Sequence, residues 1–403
     1  MHDPQRVRVS GPLQPYAPGF TAELERVGYT PLGAVLQLRL FAGLGRWLAA
    51  ERMEPDALDP AQVDRFLAAR RAAGHTRYAS ARAMQPPLGY LRRLGVVPEA
   101  TDPEPDAPLD RLLERYRRFL TVDRGLAPTT ARGYLAAVRP FLAGRVTPTG
   151  LDLAELTAAD ITAFVVARCP GQAHGSARLT VTALRSLLGF LHVEGLLPRS
   201  LAASVPRVAS WRLASLPRGL TTPEVERLLA SCDRSRTSGR RDFAILTLLV
   251  RLGLRAGEVA GLGLDDIDWR AGELVVSGKG ERVERLPLPA DVGEAIVEYL
   301  RHARPATAQD RSVSVRVKAP HRALSSTGVS QVVADAARRA GLGVVHAHRL
   351  RHTAATEMLR AGGSLAEIGG VLRHRRAYTT AIYAKVDHEA LRALARPWPD
   401  GAA

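Results

Sequence analysis

A chain of 403 residues is too long for one compact core, so two or three domains are expected. Its formal charge of +16 and a pI near 10.8 point to a polyanionic partner, nucleic acid rather than a membrane surface. Cys169 and Cys232, the only cysteines, cannot supply a disulfide framework or the four ligands of a structural zinc site. With neither an apolar leader nor a run of 18 apolar residues, the expectation is a cytoplasmic protein acting on intracellular DNA, with no membrane partner.

Residues 1–20, rich in proline, glycine and polar groups, read as a flexible N-terminal tail. Residues 21–100 carry a helical pattern that recurs. GYTPLGAVLQLRLFAGLGRWL matches GLAPTTARGYLAAVRPFL at an offset of 97, pairing Gly28 and Pro31 with Gly125 and Pro128. LDPAQVDRFLAAR matches LTAADITAFVVAR, setting Val63 against Ile161 and Phe66 against Phe164. YLRRLGVVP matches FLHVEGLLP, setting Tyr90, Gly95 and Pro98 against Phe190, Gly195 and Pro198. Three blocks in step predict a duplicated helical domain, with copies at 21–100 and 108–205. Asp59-Pro60 and Thr157 with Asp160 are helix-start signatures. TDPEPDAP between the copies is an acidic, proline-stiffened linker.

A second linker covers 206–220, and a helix should start at Thr221 or Thr222 with Glu224 completing its cap. Arg241–Leu254 reads as a buried helix that delivers Arg255. LVVSG and ERLPLP read as strands of a small antiparallel sheet, followed by a helix from Asp291 to Arg304. Residues 305–327 give no clear pattern. Further helices are predicted over Ser330–Ala340, from about Thr353 to Gly362, from Ser364 with a capping box at Glu367, and through Thr379–Ala384.

The chemistry concentrates in HAHRLRHTAATEMLRAGGSLAEIGGVLRHRRAYTTAIYAKV. Within 36 positions it sets out His348, Arg351, His374 and Tyr383. Taken singly, such residues are ordinary surface or core groups. Together they suit a phosphodiester transition state, whose non-bridging oxygens need several cationic donors around one nucleophile. Arginine serves because its planar fork stays charged and grips phosphate bidentately.

H-x-L-R-H-T at His348–Thr353, L-x-H at Leu372–His374 and a tyrosine nine residues beyond resemble the tyrosine recombinase family, or phage integrases. The resemblance extends upstream to Arg255 and Glu258 of G-L-R-x-x-E, and to Lys279 at a hairpin tip. Only three lysines stand against 53 arginines, so a lysine kept in Ser-Gly-Lys-Gly suggests a proton donor, a task that the higher pKa of arginine disfavours.

The resemblance implies a mainly α chain: a helical core-binding domain, apparently duplicated, followed by an α+β catalytic domain at 221–390 with a small antiparallel sheet. It implies that Tyr383 attacks the scissile phosphate to give a 3'-phosphotyrosyl link. Arg255, Arg351 and His374 would hold the phosphate oxygens, Lys279 would protonate the leaving 5'-oxygen, and His348 would accept the tyrosine proton. No metal, nucleotide or other cofactor is needed. Arg132, Arg139 and Arg185 are candidate DNA contacts of the second copy. The tail at 391–403 suggests docking between protomers, hence a homo-tetramer on double-stranded DNA, with an accessory directionality protein as a further partner. Glu258 reads as a structural partner of an arginine rather than a base. His346 with Arg349 forms a second, less well placed pair, and Tyr378 is a rival nucleophile. Arg373 stands where the family commonly has glycine. A type IB topoisomerase and a non-catalytic DNA-binding protein remain competing readings.

Overall fold

The structure, a computed structural model, describes residues 3–99, 107–148, 150–208, 219–278, 283–373, 380 and 383. Among the described residues it is mostly helical with two small antiparallel sheets, and the chain divides into two compact units: residues 1–99 together with 213–403, and residues 100–212.

In the first unit, α1 (Ala17–Arg26), α2 (Pro31–Ala50), α3 (Pro60–Ala72) and α4 (Ala81–Arg93) form a small bundle. Local chemistry sets two of the starts: the Thr30 hydroxyl accepts from the Gly33 N–H at 3.2 Å, and the Asp59 carboxylate accepts from the Gln62 N–H at 2.7 Å. A proline at the first helical position follows each cap. Phe20, Leu38, Phe41, Leu44, Phe66 and Leu91 fill the interior, each such side chain stabilising by about 1.5–3 kcal/mol on full burial.

Residues 3–20 do not behave as the expected tail. Leu13 is 0 % exposed within this core, and Ser10 and Gly11 run against Gly45, where an added Cβ would lie 2.5 Å from the Ser10 oxygen. The composition suggested a tail, but buried Leu13 and Phe20, with Val7, Val9 and Tyr16 packed against the same core, anchor the segment.

The second unit contains α5 (Pro108–Arg118), which runs into a π turn at Phe119–Asp123. It continues with α6 (Pro128–Ala143), a hairpin of β1 (Val146–Thr147) and β2 (Gly150–Leu151), α7 (Ala158–Arg168) and α8 (His174–Val193). Thr157 and Asp160 form a reciprocal capping box at α7. α5–α8, like α1–α4, is a set of four helices, and the glycines paired in the sequence share a sign of φ: Gly28 and Gly125 have φ of 86° and 59°, Gly95 and Gly195 of 70° and 72°. Both pairs turn the chain after a helix in the left-handed region.

The remainder of the first unit is built on α10 (Thr237–Leu252), preceded by α9 (Thr222–Ala230) with its Thr221/Glu224 capping box. Every position of α10 from Ala244 to Val250 is buried, because neighbours surround it: α12 (Ala290–His302), α13 (Ser326–Arg339) and α14 (Ala347–Arg360). Between come α11 (Ala256–Gly261) and a three-stranded sheet in the order β3 (Ile267–Asp268), β4 (Glu273–Ser277), β5 (Val283–Pro287). Leu274 pairs with Leu286 on the buried face. α15 (Leu365–Val371) follows α14 and starts on the predicted Ser364/Glu367 capping box.

Residues 303–325 are irregular yet tied down. Arg304 donates to the Ser312 carbonyl at 3.2 Å, and Tyr299 Oη accepts from the Val315 N–H at 3.3 Å. The first helical domain packs on this segment: a Cβ at Gly28 would lie 2.4 Å from Thr307 Oγ1.

Candidate active site

The site is assembled around the guanidinium of Arg351, which is 2 % exposed. Its Nη1 donates to the Gly253 carbonyl at 2.6 Å and its Nη2 to the Leu372 carbonyl. One side chain on α14 thereby ties the end of α10 to the end of α15. Gly253 is in the left-handed region at φ 58°, and a Cβ there would come within 2.5 Å of Leu372 Cδ2. The Gly-Leu-Arg string therefore needs its glycine on both conformational and steric grounds.

Two residues beyond Gly253, Arg255 caps α11. Its backbone N–H donates to Glu258 Oε2 at 2.8 Å, and its partly exposed guanidinium donates to Glu258 Oε1 at 2.5 Å. Glu258 also accepts from Arg373 Nη2 at 2.7 Å, so one buried carboxylate joins two arginines. Burial is the largest influence on this carboxyl and opposes ionisation. The Arg255 N–H and the charges of Arg373 and Arg255 outweigh it and hold the pKa below the ordinary carboxylate range. Glu258 thus has the structural role expected of it.

Helical spacing places His348, Arg351 and His352 on one face of α14. The His348 and His352 rings meet edge-on at 4.4 Å between centroids. His352 Nδ1 lies 2.9 Å from the Tyr383 hydroxyl, on a side chain 1 % exposed among Ala355, Ile368 and Leu372. Burial, then the neighbouring His348 and Arg351, depresses the His352 pKa to about 4, so its ring is neutral at pH 7 and can accept a proton. His348 is lowered by burial, Arg351 and Arg255. Burial raises the Tyr383 pKa, with Arg351 pulling the other way. Arg351 is lowered to about 10, chiefly by burial, and stays charged at neutral pH.

The structure thus brings together Arg255, His348, Arg351 and Tyr383. Lys279, His374 and Tyr378, and the tail from residue 384 onward, lie outside the described residues. Of the candidate DNA contacts, Arg139 pairs with Asp110 at 2.8 Å and Arg185 donates to the Val205 carbonyl at 3.0 Å, whereas Arg132 projects to solvent. Arg349, of the second histidine–arginine pair, reaches the Gly219 carbonyl instead.

One participant escapes the sequence reading: His348 was the expected acceptor of the tyrosine proton, whereas the imidazole 2.9 Å from the Tyr383 hydroxyl is that of His352. His352 follows Arg351 directly and lies one helical turn after His348, a signal that is present in the string L-R-H-T. Arg373 adopts φ 55° in the turn before His374, so an arginine holds the left-handed conformation for which glycine is the usual choice.

The profile of the Phage integrase family matches residues 218–390, and that of the phage integrase N-terminal SAM-like domain matches 113–195. A putative integrase/recombinase of Sinorhizobium fredii is 41% identical over 394 residues, covering 96% of this chain and 95% of its own length. The tyrosine recombinase XerD of Mycobacterium tuberculosis is 33% identical over 297 residues, 70% of this chain and 94% of its own. Among solved structures, the XerH site-specific recombinase bound to palindromic difH substrate aligns over 84% of this chain and 97% of its own, with a TM-score of 0.55 at 18% identity. A lambda integrase tetramer bound to a Holliday junction gives 0.54 at 19% identity, over 81% and 90%. The chain belongs to the phage integrase family, the tyrosine recombinases, which cut and rejoin DNA. No helix among the described residues is long and apolar enough to cross a membrane.

Proposed function

We propose that the protein is a site-specific recombinase of a mobile element that breaks double-stranded DNA through Tyr383, forming a 3'-phosphotyrosyl link and a free 5'-hydroxyl. The observation that carries this reading is the 2.9 Å contact between the Tyr383 hydroxyl and a neutral imidazole nitrogen of His352, beside the Arg351 guanidinium. A phenol with a raised pKa is a poor nucleophile unless a base takes its proton, and His352 is placed to do so. Arg255 and Arg351 would hold the non-bridging oxygens, with His348 and His374 as further donors. Lys279 would protonate the leaving 5'-oxygen. The phosphotyrosyl bond conserves the energy of the broken phosphodiester, so rejoining needs only attack by a 5'-hydroxyl that displaces the Tyr383 oxygen.

Arg351 and Tyr383 are both buried in this structure, so access of a phosphate to them requires a rearrangement of the site, which DNA binding would drive. The second helical unit would clamp the duplex with Arg132, and the C-terminal tail would dock on a neighbouring protomer to build a tetramer. The tetramer on a Holliday junction formed by lambda integrase supports that assembly by analogy of fold. An accessory protein would set direction, and the setting is the cytoplasm, where chromosomal and mobile DNA meet.

The test is a suicide duplex carrying the recombination site, taken from the DNA flanking the gene. The wild type should become covalently attached and Tyr383→Phe should not. An adduct formed by Tyr383→Phe removes the nucleophile assignment. Relaxation of supercoils without joining of two sites would indicate a topoisomerase, and binding with no adduct would indicate a non-catalytic DNA-binding protein.

A further inference from the structure

The first helical domain has no part in the chemistry above, yet among its described residues it contains a concentration of unbalanced positive charge. A cleft of about 450 Å³ is lined by five arginines, Arg8, Arg39, Arg46, Arg70 and Arg77, and by no carboxylate. Some arginines elsewhere in the same domain meet acids: Arg26 and Arg93 pair with Glu23, and Arg65 pairs with Glu51. Among the described residues the five cleft arginines have no ion pair.

The fold holds them close together. Arg39 and Arg46 are seven apart on α2 and so share a face, with Ala42 and Gly43 between them as a low floor. Arg70, from the last turn of α3, lies across that floor; a Cβ at Gly43 would be 3.3 Å from its Nη1. The Arg70 Nε is buried and has no acceptor. An unmet buried donor of a charged group is costly, and like charges held together add to the cost. The loop that completes the cleft holds Tyr78 at φ 56°, a left-handed conformation that is unfavourable for a bulky residue. An unmet donor, repulsion and a left-handed loop residue at one place suit the binding of an anion. Phosphate oxygens fit, since guanidinium forks match them.

We propose that this cleft is a second phosphate-binding site, separate from the catalytic centre, through which the first helical domain grips the backbone of duplex DNA. The choice of DNA over a small phosphate compound rests on the recombinase reading. A cleft open to solvent along α2, with Arg39, Arg46 and Arg77 exposed, suits a strand lying across it better than a compact ligand enclosed by it. Contacts of this kind position the protein without reading sequence.

The experiment uses the full chain and a duplex of mixed sequence, about 60 base pairs long, so that several binding segments fit. Fluorescence anisotropy is measured across a salt series for the wild type, Arg39→Glu/Arg46→Glu, and Arg6→Glu/Arg65→Glu, which carries the same charge change outside the cleft. The cleft variant should bind at least about tenfold more weakly, with the slope of log affinity against log salt reduced by about 1.8, that is, about 0.9 for each phosphate no longer neutralised. The outside variant should change by less than about threefold, as expected of exposed arginines away from the bound strand. Circular dichroism confirms folding, and the milder Arg70→Gln should weaken binding in the same direction without adding negative charge.

Equal losses in the two double variants, or none in the cleft variant, overturn the proposal. So does calorimetric binding of inorganic pyrophosphate that the cleft variant abolishes while its DNA affinity is unchanged, which assigns the cleft to a small anion. Adduct formation is scored separately. A protein that binds through the cleft but never forms the Tyr383 adduct retains this inference and loses the recombinase reading. A protein that forms the adduct with cleft-independent affinity does the reverse.

Discussion

Arg373 and Glu258, 115 residues apart, form a 2.7 Å ion pair with side chains only 3 % and 4 % exposed, in the turn that leads directly to His374. Because Glu258 also holds the backbone and guanidinium of Arg255, the pair couples one phosphate-binding candidate to the approach of another. Glu258→Gln would leave the Arg373 charge buried without a counterion and should destabilise the domain by about 3–5 kcal/mol. Arg373→Gly relieves the left-handed backbone and leaves Glu258 paired with Arg255, so its cost should be smaller, about 1–3 kcal/mol. Urea unfolding of both variants checks the order. Equal losses would mean that Glu258 is not the hub.

The same carboxylate predicts a pH dependence. Its folded pKa lies below the unfolded carboxylate value, so its contribution to stability is complete above about pH 5 and is lost as pH falls through the folded pKa. Thermal melts of the wild type should drop on acidification below that range. Glu258→Gln, already destabilised, should show a shallower drop.

His352 should matter to the rate rather than to DNA affinity. His352→Ala removes the imidazole acceptor at the Tyr383 hydroxyl, and adduct formation should slow by about 10²–10⁴-fold while binding changes little. Its folded pKa of about 4 lies below the unfolded value, so the ring stays neutral, and the acid limb of adduct formation should fall near pH 4 rather than near 6.5. A slow variant whose pH profile keeps the wild-type acid limb would assign that limb to another group.

Much of this architecture could be read from the chain because local rules and tertiary demands agree. Thr221/Glu224, Thr157/Asp160 and Ser364/Glu367 announce helix starts that the structure realises as reciprocal caps. Arg255 and Arg351 were identifiable because phosphate chemistry needs guanidinium forks in a recognisable string. What escaped reading depends on contacts distant in sequence. No local pattern reveals that Arg351 would spend two donors on the carbonyls of Gly253 and Leu372, or that Arg373 would find Glu258. The opening residues look like a tail by composition, whereas Leu13 and Phe20 in the core and the Gly45 contact show otherwise.

The burial of Tyr383 gives a prediction that needs no cleavage. With 1 % of the residue exposed, its hydroxyl should resist a tyrosine-acylating reagent in the free protein and become reactive when the duplex opens the site. Mass spectrometry of Tyr383 with and without DNA measures the change, and an increase of about tenfold or more is expected for a group passing from closed to open states separated by a few kcal/mol. Equally high labelling in both conditions would mean that the tyrosine is already accessible, and equally low labelling that DNA does not open the site.

Gly253→Ala tests the joint on which the arginine pair depends. The substitution places a methyl group about where Leu372 Cδ2 already sits, at 2.5 Å, and forces alanine into φ 58°. Relief requires the carbonyl of residue 253 or the end of α15 to shift, and both accept hydrogen bonds from Arg351. Strain of this kind costs about 1–3 kcal/mol, and a displacement near 1 Å of a positioning group can cost about 10²-fold in rate. Adduct formation should therefore fall by more than the stability loss alone accounts for, measured at a temperature where the variant is fully folded. A variant that is less stable but cuts at the wild-type rate would show that the Gly253 carbonyl does not set the position of Arg351.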